Sequence, residues 1–480
     1  MVNTTHICKS SCLIICCMLL FLSGCSPIPN MPGLRSPDQS LNIHNQAEPL
    51  LRQTSWWKSL GDPQLNKLID QALIHSPDIH QAQARIEKAQ AYTVQMGAAL
   101  EPSVTADLTV QETKQSYYNG IPKSAVPKGL KDNAKATLNF NYEFDFWGQN
   151  KAIEKTAQMN ADIELLQKDQ VELMLATAIT SNYIQLNEWY QQQAVYKKML
   201  NTYQQMIQLQ QERLKTGIDG KQPMLTTQSM VAQTKSQVTE IQSEIQKTTI
   251  VIQTLTGLPY QAHKIYQPKL SKRVLLKLPK TIQANLMAYR PDIQAALIAL
   301  QANAYKIGVA RTAFYPNVNL NGYVGHQSLE LKNFFNPESL IASFGPAIHL
   351  PIFQTRQLTG AYQSAYADYN LSLACYEKSI LQALQETNQS MIQIHALTKQ
   401  LMTAKQDLSY AHSNATLAHS LYQQGLTTKL ATLKNQLDVL SKHKIIQSLN
   451  NQLIISKISL TKALGGSPHI IKQIHRGIST

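Results

Sequence analysis

The chain has 480 residues, which at about 150 residues per domain suggests three domains unless a repeat overturns that prior. Hydrophobic residues make up 43% of it, an ordinary share that excludes a stack of membrane helices. The formal charge is +14, from 44 Lys+Arg against 30 Asp+Glu, but the basic residues are dispersed and not interleaved with aromatics, so no nucleic-acid partner is expected.

In chain order the first feature is an apolar run, "CLIICCMLLFL" at 12–22, that follows Lys9 and leads into Leu22-Ser23-Gly24-Cys25. This resembles a bacterial lipobox, in which small residues admit the peptidase before a cysteine that carries diacylglycerol. Residues 1–24 are then a signal peptide, and 25–61 a tail anchored by covalent lipid on Cys25, the one attached group expected. Ser26, where an aspartate would retain the protein at the inner membrane, favours outer-membrane sorting. Cleavage removes Cys8, Cys12, Cys16 and Cys17 and leaves Cys375 alone, so a disulfide framework is excluded. Cys375 is expected to be a small packed side chain.

The rest of the chain reads as a duplication. "SPDIHQAQARIEKAQAYTVQMGAALEPSVTADLTV" from Ser76 is matched by "RPDIQAALIALQANAYKIGVARTAFYPNVNLNGYV" from Arg290. Each begins with Pro-Asp, continues as a helix of about thirty residues, and passes a proline, Pro102 or Pro316, into an alternating strand. "RLKTGIDGKQ" near Gly217 is echoed by "LYQQGLTTKL" near Gly425, and "TLTGLP" by "ALGGSP". The expected division is a first repeat at 62–265, a second at 266–465, and a C-terminal tail at 466–480.

Four strands are predicted, at 103–114, 135–146, 317–327 and 343–353. The second is the clearest: Ala136, Leu138, Phe140, Tyr142, Phe144 and Phe146 alternate with Lys135, Thr137, Asn139, Asn141, Glu143 and Asp145. Strands of this length suit a tilted bilayer crossing, and a strand in hydrocarbon exists only in a closed barrel. Four strands cannot close around a lumen, so several chains must contribute to one barrel; three would supply twelve strands. The oily faces should meet lipid, Asn139, Asn141, Glu143 and Asp145 should line a wet passage, and Trp147-Gly148 should mark the corner into helix.

Residues 149–216 and 361–424 contain neither Gly nor Pro, and as helices each would extend roughly 100 Å. Both carry heptad seams: Leu373, Ile380, Thr387, Ile394, Leu401, Leu408, Ala415 and Tyr422 in one, and Ile179, Leu186, Leu200, Ile207 and Leu214 in the other, with Gln193 interrupting. The fold class expected is mostly α with a membrane β-barrel: a trimeric twelve-stranded barrel continued by a long helical barrel.

The motifs "YRPDIQAALIAL", "IGVARTAFYPNVNLNGYVG", "YEFDFWGQ" and "LTGLP", with the paired glycine turns, resemble those of the TolC-like outer-membrane factors, in the lipoprotein branch that serves resistance-nodulation-division efflux systems. The resemblance covers essentially the whole mature chain. It implies a homotrimer in outer-membrane lipid that passively conducts small molecules handed on by an inner-membrane efflux transporter and a periplasmic adaptor. It implies that the loops at 115–133 and 328–342 face outside. Thr216, Gly217, Asp219 and Gly220, with Gly425, Leu426, Thr427 and Thr428, would form the periplasmic tip that meets the adaptor. TolC closes its mouth with aspartate rings just past the second glycine turn, and the matching positions here are Ala431 and Lys434. Either Lys434 replaces the acidic ring, making the mouth less cation-preferring, or a layer at Leu430 or Leu433 forms the constriction. Type I protein secretion through the same kind of duct is the alternative function, and a structural coiled-coil lipoprotein a weaker one.

No HExxH, zinc-type Cys/His spacing, Walker loop, GxSxG or Rossmann glycine pattern is present, so no enzyme, metal site or cofactor is expected. His412 and His419 stand seven apart with His395 too far along to join them, and they read as solvated or seam histidines.

Overall fold

The computed structural model describes residues 28–31, 33–36, 55–118, 120, 122–259, 264–270 and 289–466. Two short helices, α1 (Pro63–His75) and α2 (Pro77–Gly97), lead into strands β1 (Ser103–Thr113) and β2 (Lys131–Phe144), then into long helix α3 (Gln149–Lys215) and its return helix α4 (Lys221–Leu255). The order then repeats as α5 (Pro291–Thr312), β3 (Asn317–Ser328), β4 (Leu340–His349), α6 (Thr355–Gln423) and α7 (Lys429–Ala463). Proline heads α1, α2 and α5, where its missing N–H costs nothing and its fixed φ suits the first turn. Among the described residues no helix is long and apolar enough to cross a membrane.

Several bounds differ from expectation, each for a local reason. Helices α2 and α5 have 21 and 22 residues rather than about thirty, because the chain leaves helix several residues before Pro102 and Pro316. Strand β2 stops at Phe144, two residues early. Asp145 turns to cap α3, its carboxylate accepting from the amides of Asn150 at 3.1 Å and Lys151 at 2.9 Å. Strand β4 spans Leu340–His349 rather than 343–353: Pro351 has no N–H for a ladder, and Ile352 and Phe353 lie beyond it. Helix α6 starts at Thr355 and carries Gly360 inside it.

The chain forms two compact units, and both draw on both halves of the sequence. One unit, 1–37, 86–164 and 296–376, contains the sheet, antiparallel throughout in the order β1-β2-β3-β4. In the same unit, Leu300, Ile307, Tyr366, Tyr369 and Leu373 form a small core between α5 and α6 that also holds Met31. Tyr366 donates its hydroxyl to the carbonyl of Gly33 at 2.7 Å and Tyr369 to that of Arg35 at 3.0 Å, so the described N-terminal segment is fastened to α6.

The other unit, 38–85, 165–295 and 377–480, has the main core: Trp56, Trp57 and Leu60 with Leu65 and Ile69 of α1, Ile179, Tyr183 and Leu186 of α3, Ile252 of α4 and Ile458 of α7. Each large apolar side chain sealed there contributes about 1.5–3 kcal/mol. Tyr183 donates to Asp62 at 2.7 Å and accepts from Gln64 at 2.8 Å, and burial together with Asp62 pushes its phenol well above the usual value. Asp62 also accepts from the Lys269 amide at 2.8 Å.

The duplication shows in how each half is sealed in this unit. A Cβ on Gly257 would lie 2.3 Å from the His75 carbonyl oxygen, and one on Gly465 3.1 Å from that of Tyr289, so each glycine lets a helix end approach the residues just before Pro77 or Pro291. The second half adds Arg290, which donates to Asp292 at 3.0 and 2.8 Å, to Glu386 at 2.8 Å and to the Ala463 carbonyl at 3.1 Å. Burial opposes its charge, and the two carboxylates outweigh it, holding the guanidinium above its ordinary value.

The heptad seam of α6 is buried from Leu373 to Leu401; a neighbouring row that includes Leu397 is already buried there and continues alone at Ala411 and Ala418, while Tyr422 is exposed. A strict seven-residue step drifts about 20° per heptad around a straight helix, which is the size of slip that hands the seam to a neighbouring row. In α3, Ile179 and Leu186 are buried, but Val195, Thr202 and Met206 replace the later seam positions. Cys375 is exposed, not packed.

Candidate functional site

The sheet is two-faced. Rows across it run Val104, Phe140, Gly322, Phe344 and Ala106, Leu138, Val324, Ala342 on one face. On the other they run Ser103, Asn141, Asn321, Gly345 and Thr105, Asn139, Tyr323, Ser343. The apolar face is bare in the single chain: Leu108, Phe344 and Ile348 are each more than two-thirds exposed. On the polar face the side-chain amides donate to one another and to carboxylates. Asn139 donates to Asp107 at 2.5 Å, Asn141 to Asn321 at 2.6 Å, Asn317 to Glu143 at 2.7 Å and Asn319 to Asn317 at 2.8 Å. Asn139, Asn141 and Glu143 thus share the face expected for a lining, and Asp145 leaves it to cap α3. A surface wet on one side and oily on the other, at 10 to 14 residues per strand, has the dimensions of a membrane barrel wall.

Rings gather where strand gives way to helix. Trp147 stacks on Tyr315 with centroids 4.7 Å apart and donates its indole N–H to the Pro316 carbonyl at 2.8 Å, while Phe144 stacks on Phe146 at 5.5 Å. Amphipathic rings with one wet edge suit a membrane–water interface. At the opposite end, the β3–β4 loop is tied down by Glu330, which takes Lys131 at 2.9 Å and Lys332 at 3.0 Å. Those hydrogen bonds pull its carboxyl down to about 2.

The two helical turns share one backbone. Gly217 and Gly425 have φ of 73° and 71°, the left-handed region that glycine adopts without strain. The next amide reaches back five residues in each, Ile218 to the Arg213 carbonyl at 2.9 Å and Leu426 to that of Leu421 at 2.8 Å. Ile218 and Leu426, which in such a motif usually fold back on the helix, are instead 63% and 70% exposed, so each turn ends in an apolar knob. Thr216 donates to the carbonyls of Glu212 and Arg213, and Asp219 holds Arg213 by two bonds of 2.6 and 3.0 Å. Hydrogen bonding to Arg213 keeps the Asp219 carboxyl below its ordinary range. Gly220 is the N-cap of α4. Thr428 caps α7, accepting from the Ala431 amide at 3.3 Å, with Thr427 half-buried beside it.

The constriction candidates separate by burial. Leu433 is buried within the single chain, Leu430 and Ala431 are half-buried, and Lys434 is exposed. Cys25 lies outside the described residues, three positions before Ile28. Ile218 and Arg290 were missed by sequence reasoning; the first could have been found as the counterpart of Leu426, the second from the arginine that precedes Pro-Asp only in the second half.

The family model described as outer membrane efflux protein matches residues 68–258 and 284–466. The chain is similar to the pyoverdine export outer membrane protein OpmQ of Pseudomonas aeruginosa, with 28% identity over 465 residues that cover 95% of this chain and 97% of that protein. It is similar also to the cation efflux system protein CusC of Escherichia coli K12, with 26% identity covering 94% and 98%. Its backbone resembles the crystal structure of the outer membrane protein VceC of Vibrio cholerae, with a TM-score of 0.79 and 29% identity over 87% of this chain and 100% of that one.

Proposed function

Because the chain belongs to the outer membrane efflux protein family, we propose that three copies assemble into one passive exit duct, fed from the periplasm by an adaptor and an energised inner-membrane transporter. The observation that carries this reading is the sheet. Strands β1 and β4 each have one partner and one open edge, and an open edge in hydrocarbon leaves amides and carbonyls unpaired at several kcal/mol each. Pairing β4 of one copy with β1 of the next removes every edge and gives twelve strands, enough for a water-filled lumen.

The apolar knobs at Ile218 and Leu426 support the turns as the adaptor-binding tip, since an exposed aliphatic side chain on a rigid turn offers a small hydrophobic anchor. Acylation of Cys25 would add attachment worth about 0.8 kcal/mol per buried methylene, and the fastening of Gly33 and Arg35 by Tyr366 and Tyr369 would hold that anchor beside the sheet's own unit. With Leu433 buried, Lys434 and Leu430 remain as constriction residues.

The duct is tested by dye retention. Cells lacking the protein should retain more of a fluorescent efflux substrate than the same cells complemented with it, and unchanged retention would count against small-molecule efflux. For the mouth, Lys434→Asp should move bilayer ion selectivity toward cations; an unaltered selectivity would remove Lys434 from the constriction.

A further inference from the structure

His412 on α6 and His443 on α7 form a pair that neither the sheet nor the turns use. Their ring centroids lie 5.4 Å apart, edge to face. Sequence spacing hides the pairing, because His443 sits on the return helix. His419, one heptad along α6, is engaged instead with Gln423 at 3.2 Å. His412 is exposed and His443 half-buried, so solvent ions reach the pair.

The charges around the pair are largely spoken for. Lys442 is bound by Asp407 at 2.8 Å, and Lys444 donates to the Tyr196 hydroxyl at 2.9 Å with its ammonium 4.9 Å from that ring's centre. Lys198 is the remaining cation that acts on His443. Burial, then His412 and Lys198, push the His443 imidazole below its ordinary value, which favours the neutral form that binds metals. Two imidazoles that bind one tetrahedral ion through nitrogens about 2.0–2.1 Å away hold their ring centres roughly 5 Å apart. The observed separation is already of that size, with the two ring planes at 80° to each other.

We propose that His412 and His443 together form an exchangeable site for a borderline divalent cation of the Zn2+ class, completed by water, that staples α6 to α7. Imidazole suits such ions, and with two protein ligands beside Lys198 the affinity is modest. No group of three or more metal-ligating side chains occurs among the described residues, so the remaining ligands of the ion would be water. What it would do is tie the two helices that lead into and out of the Gly425 turn, so that parting them at this level requires releasing the ion.

The test is Zn2+ binding to the purified full-length protein in detergent, titrated with ZnCl2 in a non-coordinating buffer. One Zn2+ per chain should be lost, or weakened by more than the roughly tenfold typical of removing a ligand's supporting hydrogen bond, in both His412→Ala and His443→Ala. His419→Ala should bind as wild type does. His443→Gln, which keeps the bulk of the side chain, serves as the second variant should alanine disturb the helix pair. Identical titrations of wild type and the His443 variants, or an equal loss in His419→Ala, would overturn the proposal.

Discussion

The turn between α3 and α4 and the turn between α6 and α7 have the same backbone and different chemistry. Both end a long helix with a left-handed glycine and an exposed aliphatic residue. The first is then tied by the two bonds between Arg213 and Asp219, whereas the second is closed by the Thr428 cap, with no ion pair at it among the described residues. The helix entrances differ in the opposite sense, since Arg290 is tied to two carboxylates in the second half and Ser76 stands at the corresponding place in the first. A duplicated frame is kept by glycine and proline, which act through backbone geometry. The charged fastenings, which act through side chains, are free to appear in one copy and not the other.

The comparison can be broken most severely at Arg290. Arg290→Ala leaves the buried Ala463 carbonyl without this donor and leaves Asp292 and Glu386, both more than a third exposed, without their cation; it should cost about 1–3 kcal/mol, read as a lower melting temperature of the purified protein. A smaller loss would mean that the second half is held mainly by its glycine contact, as the first is. Next come the turns themselves. Gly217→Ala and Gly425→Ala each force a side chain into left-handed backbone at about 1–2 kcal/mol, with open space around the new Cβ in both. Proteolytic nicking should rise more at the Gly425 turn, which lacks the Arg213–Asp219 tie; equal nicking would show that the ion pair does not stiffen its turn.

The smallest effect is that of pH on the tie. Asp219 has a lowered folded value, so its contribution is complete above the ordinary aspartate range near 4 and is lost as pH falls through the lower folded value. Amide protection at Ile218 and Asp219 should therefore drop on acidification, relative to Leu426, and Asp219→Asn should abolish the difference. Protection that falls alike at both turns would remove the ion pair from the account.

Much of the architecture was legible because periodicity is written in residue type. The alternation from Ala136 to Phe144 became the two faces of β2, and the proline before each first strand marked its start. Ends were less legible, since they depend on single interactions. Asp145 reads as one more polar strand residue until its carboxylate is seen capping α3. Cys375 was read as packed from its chemistry, but the buried row of α6 here runs through Leu373, Tyr376 and Ile380, and Cys375 lies off it. Leu433 looked as suited to a constriction as Leu430, and only folding of the hairpin turns it inward. His412 and His443 stand 31 residues apart in sequence, beyond the reach of any motif spacing within one helix.

The open edges of the sheet have a consequence for inheritance. A chain with a spoiled β4 edge is still able to offer a sound β1 edge, and so to take a place beside good copies. In the three-copy assembly proposed above, equal amounts of sound and spoiled chain mixing at random leave roughly one assembly in eight intact. An edge mutation carried on a plasmid should accordingly silence the chromosomal gene product as well as its own.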